Sequence, residues 1–103
     1  MVNEPADRER RIIDVLMALD EGEVTTYGDV VEVAGYPGRS RLVGRILAET
    51  MVEVPWWRVV NATGRLVPGN EAEQTALLLA EDVIVRGRLV RSAPLVRFKR
   101  ASR

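Results

Sequence analysis

The sequence predicts a mostly α domain with a small β-hairpin, of the winged helix-turn-helix class. Three observations carry that expectation. Apolar residues recur at helical spacing in several segments. Two of those segments are short and flank a turn containing glycine and proline, and the second of them is studded with arginine. Late in the chain, β-branched and aliphatic residues flank a glycine, as in a hairpin. With 103 residues the chain supports a single domain, 1–103, around one core.

Taken in order, residues 6–20 read as the first helix. Ile12, Ile13, Leu16, Met17 and Leu19 form its apolar stripe, with Asp7 and Glu9 near the positive N-terminal end. Val24-Thr25-Thr26 is a short extended stretch, and either threonine is a competent N-cap for a second helix at 27–34. That helix is expected to turn Val30, Val33 and Ala34 inward. Gly35-Tyr36-Pro37-Gly38 ends it, because proline cannot continue a helix. The third helix, 39–49, buries Leu42, Val43, Ile46 and Leu47 and leaves Arg41 and Arg45 together on another face.

Residues 50–55 lead into Pro55-Trp56-Trp57-Arg58-Val59-Val60, which holds both tryptophans of the chain. Read locally, this is a buried strand with a large aromatic anchor. Asn61-Ala62-Thr63-Gly64 is a turn, and residues 65–69 carry the chain onward to Asn70, a good N-cap for a helix at 71–82. Val83–Val90 reads as a hairpin about Gly87, the wing, with a last short strand at 95–98.

Composition excludes several kinds of chemistry. The chain has no cysteine, so it has neither a disulfide framework nor a thiol nucleophile. It has no histidine, which removes the commonest metal ligand and neutral-pH base. No catalytic residue, metal or cofactor is expected. The N-terminal stretch lacks the basic and apolar regions of a signal peptide, and no apolar run reaches bilayer length. A cytoplasmic protein without membrane contact is the expectation. Net charge is zero, yet the cations are nearly all arginine and gather late in the chain, while acids dominate the first third. Arginine suits phosphate and base-edge contacts.

Four motifs occur in a fixed order: Val24-Thr25-Thr26-Tyr27-Gly28-Asp29-Val30, Ala34-Gly35-Tyr36-Pro37, Arg41-Leu42-Val43-Gly44 and Pro55-Trp56-Trp57-Arg58-Val59-Val60. Together they resemble the DNA-binding domain of the O6-alkylguanine-DNA alkyltransferases, over about residues 8–90. In that family the last motif reads Pro-Cys-His-Arg-Val, where cysteine accepts the alkyl group and histidine activates it. Here Trp56 and Trp57 stand at those two positions, which resembles the alkyltransferase-like proteins, whose reactive cysteine is replaced. The resemblance implies a non-enzymatic protein that binds O6-alkylguanine in double-stranded DNA, flips it and marks it for nucleotide excision repair proteins.

It also implies residue roles. Tyr27 presses on the phosphate beside the target and helps rotate the nucleotide. Arg41 enters the duplex and fills the space left by the flipped base, while Arg39 and Arg45 contact the backbone. Gly44 keeps the helix slim in the groove. The lesion pocket is expected to comprise Tyr27, Pro55, Trp56, Trp57, Val59 and Val60, with Trp56 as its floor or wall. Arg58 is expected to form a structural pair with Asp82, which falls where the enzymes place the glutamate of their relay. A monomer is expected. The rival reading is a winged-helix transcription regulator on undamaged DNA, with Arg41 and Arg45 reading the major groove.

Overall fold

The computed structural model describes residues 5–92, so the strand expected at 95–98 lies outside the described residues. Helix α1 spans Pro5–Met17. It stops two residues before the apolar stripe does, because the amides of Ala18 and Leu19 turn back on Val15 and Leu16 at 3.2 and 3.1 Å. Ile12, Leu16 and Leu19 are buried, while Met17 points outward.

A two-residue strand β1 (Thr25–Thr26) leads directly into α2 (Tyr27–Ala34). Thr26 caps the helix: its Oγ1 accepts the Asp29 N–H at 3.1 Å. At the other end Gly35 has φ of 101°, a left-handed conformation that favours glycine. Its N–H donates to the Glu32 carbonyl and that of Tyr36 to the Val31 carbonyl, a Schellman closure. Val30, Val31 and Ala34 are the buried face. The expected inward Val33 is exposed instead, because the buried stripe of this short helix runs through positions 30, 31 and 34. Helix α3 (Ser40–Glu49) buries Leu42, Val43 and Ile46 against α2 and α1.

Trp56–Arg58 form one turn of 3-10 helix and β2 (Val59–Val60) follows it. β2 pairs in parallel with β1, Thr25 opposite Val59 and Thr26 opposite Val60. Successive strand residues face opposite ways, and this pair divides the core accordingly. Val59 joins the cluster built by α1, α2 and α3. Val60 joins a second cluster with Val24, Leu66, Leu78 and Val83. The tryptophans divide in the same manner, Trp56 against the first cluster and Trp57 against the second.

Helix α4 covers Glu71–Leu79, shorter than the expected 71–82. Its C-terminus winds up in a tight turn, with Asp82 at φ of 66° and the Val83 N–H reaching back to the Leu78 carbonyl at 3.1 Å. Leu78 and Gln74 are its buried residues; Leu79 is exposed. Asn70 makes no side-chain cap hydrogen bond, contrary to expectation. The wing is the antiparallel pair β3 (Ile84–Arg86) and β4 (Leu89–Ser92). Residues 64–66 extend it, the Leu66 N–H donating to the Arg88 carbonyl and the Val90 N–H to the Gly64 carbonyl. Gly64 has to be glycine: φ is 89°, and a Cβ would lie 3.1 Å from the Val90 oxygen. The fold is mostly helical with a short hairpin, as the sequence predicts.

Candidate nucleic-acid interface and base pocket

The site is built on α3. Arg39, Arg41 and Arg45 are all exposed, and they line one open concavity of about 570 Å³ together with Gly38, Ser40 and Leu42. No acid lines it. Three guanidinium groups beside a helix N-terminus form an electrostatic seat for a polyanion. Arg39 occupies the N-cap position yet gives the helix no side-chain cap bond.

A second opening, a cleft of about 360 Å³, lies farther along the same helix. Its walls are Tyr27, Gly44, Leu47, Ala48, Trp56, Val67, Asn70 and Glu73. That volume falls in the range of clefts that take a small molecule, about 300–1,000 Å³. Arg41, Gly44 and Ala48 follow i, i+3 and i+7 spacing, so they form one strip of the helix. The arginine thus stands one turn from the cleft, at the end of a groove floored by small residues. A Cβ built on Gly44 meets nothing within 4 Å, so that surface is open.

Each wall is held by a local device. Tyr27 is the first residue of α2 and is oriented by the Thr26 cap. It is half-buried, and burial pushes its phenol above the ordinary value of 10.0. At neutral pH it is therefore a protonated hydrogen-bond donor. Trp56 comes from the 3-10 turn, whose path is set by Gln74 of α4. Gln74 is fully buried. Its amide nitrogen donates to the carbonyls of Trp57 and Val59 at 3.1 and 3.2 Å, and its oxygen accepts the Val67 N–H at 2.7 Å. One side chain thereby fixes two walls of the cleft, the Trp turn and the Val67 loop.

Trp57 faces the other way. It meets Trp56 edge to face, with ring centroids 6.2 Å apart and planes at 89°. Its indole N–H donates to Glu81 Oε2 at 2.8 Å. The Arg58 guanidinium packs over its ring at 5.3 Å and bonds Glu81 through Nε and Nη2, the latter at 2.7 Å. Arg58 also donates to the Leu19 carbonyl, and the Gly22 N–H donates to Glu81 Oε1. Burial alone would raise the Glu81 pKa. The bonds from Arg58, Gly22 and Trp57 outweigh it and hold the carboxyl below 4.5.

The expected pair Arg58–Asp82 is therefore corrected to Arg58–Glu81. Asp82 sits in the left-handed turn after α4 and is exposed, whereas Glu81 points back toward the Trp turn. Of the six residues expected to line the pocket, Tyr27 and Trp56 line the cleft. Pro55 and Trp57 instead border a separate concavity of about 640 Å³, shared with Met17, Leu47, Trp56 and Arg58. Val59 and Val60 are closed inside the two core clusters. Asn70, Glu73, Leu47 and Val67 line the cleft and were not anticipated. The sequence carries no signal for this wall, because Gln74 shares its helix face with Glu71 and Thr75 and reads as surface. Among the described residues no group of three or more acidic side chains could hold a metal ion. No described helix is long and apolar enough to cross a membrane.

Comparison with known proteins identifies relatives of the chain. Residues 7–83 match the family described as 6-O-methylguanine DNA methyltransferase, DNA binding domain. The chain is 42% identical over 82 residues to the DNA base-flipping protein of Escherichia coli, covering 76% of this chain and 64% of that one. It thus spans under two thirds of that relative's length. It is 33% identical over 58 residues to alkyltransferase-like protein 1 of Schizosaccharomyces pombe, covering 54% of each. The fold is similar to that of S. pombe Atl1 in complex with damaged DNA containing O6-carboxymethylguanine. There the TM-score is 0.74 and the identity 25%, over 90% of this chain and 92% of that one.

Proposed function

Because the chain belongs to the family of the 6-O-methylguanine DNA methyltransferase DNA-binding domain, we propose that it recognises O6-alkylguanine in duplex DNA without repairing it. The observation that carries this reading is Trp56. It stands at the motif's reactive position on the wall of the cleft, opposite Tyr27 and beside α3, in a chain with no cysteine. No thiol exists to accept an alkyl group, and an indole offers instead an apolar face.

In this reading α3 lies against the duplex, and the exposed arginines hold the backbone. Arg41 occupies the gap left by the displaced nucleotide, where its planar guanidinium stacks on neighbours and bonds the orphaned base. Flipping costs a few kcal/mol, least where pairing is already damaged, as an O6-alkyl group damages it. Tyr27 presents its protonated phenol to the rotated backbone, and the modified base rests against Trp56. Stacking of that kind contributes about 1–3 kcal/mol. With the lesion held but unaltered, the bent and opened duplex becomes a mark for nucleotide excision repair proteins. The protein would act as a monomer in the cytoplasm.

The test is a titration of labelled duplexes that differ at one base, O6-methylguanine or guanine, at matched salt. Lesion DNA should bind more tightly, and Trp56→Ala should lower lesion affinity by roughly fivefold to a hundredfold, the equivalent of about 1–3 kcal/mol. Equal affinity for both duplexes would overturn the reading, and preference for one undamaged sequence would favour a regulator.

A further inference from the structure

The cleft has one wall whose chemistry the lesion-binding reading does not use. Glu73, an exposed residue in the first turn of α4, lines it with a carboxylate, and Asn70, whose carbonyl accepts the Gln74 N–H, leaves its side chain out of the helix cap. No arginine or lysine lines the same cleft, since the cations of α3 surround the neighbouring concavity. The remaining walls are apolar, apart from the Tyr27 phenol, which burial keeps protonated. A substituent entering here meets one negative charge and no compensating positive one.

We propose that the cleft selects O6-substituents by charge, Glu73 disfavouring anionic adducts and admitting neutral or cationic ones. The proposal rests on the lesion-binding reading and names the substrate class of that site. The DNA backbone is equally anionic for every adduct, so its repulsion from Glu73 cancels in a comparison between adducts. What remains is the interaction between the substituent and the exposed carboxylate on the cleft wall. Like charges a few ångströms apart at an exposed position cost enough to weaken binding a few-fold. An ammonium on the substituent turns the same interaction favourable and finds a hydrogen-bond acceptor in Glu73.

The experiment titrates the full chain with four duplexes identical except at one base: guanine, O6-methylguanine, O6-carboxymethylguanine and O6-(2-aminoethyl)guanine. The wild type should bind the aminoethyl and methyl duplexes roughly two- to fivefold more tightly than the carboxymethyl duplex. Glu73→Gln should bring the carboxymethyl-to-methyl ratio close to one. Glu73→Lys should invert the order, favouring carboxymethyl over methyl. A general loss of repulsion from DNA would instead tighten all four duplexes alike and leave the ratios unchanged. That result overturns charge selection, as does a wild type that binds carboxymethyl as tightly as methyl. If no adduct outbinds guanine, the lesion-binding reading itself fails, and charge selection with it.

Discussion

Gln74 is fully buried, and its amide answers three main-chain groups. Replacing it with leucine keeps the volume but strands the Val67 N–H and the carbonyls of Trp57 and Val59. Each stranded group costs about 1–3 kcal/mol, less where water reaches it. Gln74→Leu should accordingly lower the unfolding free energy by at least one such increment, read as a lower urea midpoint. It should also weaken lesion binding, because the Trp turn and the Val67 loop are walls of the cleft. Glu81 plays the equivalent part on the other side of the Trp pair, and its pKa has a stated direction. The folded carboxyl lies below its unfolded value, so its contribution is complete above that value and is lost as pH falls through the folded one. Stability should decline as pH drops below about 4.5. In Glu81→Gln that part of the decline should flatten, which thermal unfolding across pH 3–7 will measure. Neither residue is legible in the sequence as a hub. A glutamine in a helix and one of two adjacent acids look like surface until the turn after α4 decides which way they point.

Helix α3 serves two purposes, and they make opposite demands at Gly44. Glycine inside a helix destabilises it by roughly 0.5–1 kcal/mol relative to alanine. Nothing in the fold blocks a methyl group there. Gly44→Ala should thus raise the melting temperature, while lesion binding falls because the groove between Arg41 and Ala48 has narrowed. Gains in both would show that close approach at Gly44 is not needed. Elements of this kind were largely legible: α2 and α3, their Gly35 stop and the wing all follow from apolar spacing and turn residues. Helix ends were less so. α1 and α4 each stop about a turn early, since closing turns at Ala18 and Asp82 compete with an apolar pattern that continues past them. The pocket fared similarly. Tyr27 and Trp56 were legible through the motif register, but the α4 wall depends on how a distant helix packs across the Trp turn.

Along the chain as a whole, zero net charge conceals an asymmetry in sequence. The first 32 residues carry an excess of acids, and the segment from Val83 onward carries arginines and lysine alone. Overall neutrality therefore predicts little about the surface proposed to meet DNA, where Arg39, Arg41 and Arg45 are exposed at and along α3. The logarithm of the DNA association constant should still fall steeply with the logarithm of salt concentration, with roughly one unit of slope per phosphate neutralised. Arg41→Ala should cut lesion affinity more than Arg88→Ala, which should lower affinity for damaged and undamaged duplexes alike.

The Trp56–Trp57 contact has an optical consequence. At 6.2 Å between centroids the two indoles exchange excitation readily, so light absorbed by either ring is shared by both. A purine stacked on Trp56 offers the excited pair an electron-transfer exit. It darkens Trp57 as well, even though that ring is turned toward Glu81 and Arg58. No other tryptophan exists in the chain to emit a constant background. Under the proposed function, the protein's ultraviolet emission is in effect a single lamp mounted in the wall of the cleft, dimmed by a base stacked on Trp56.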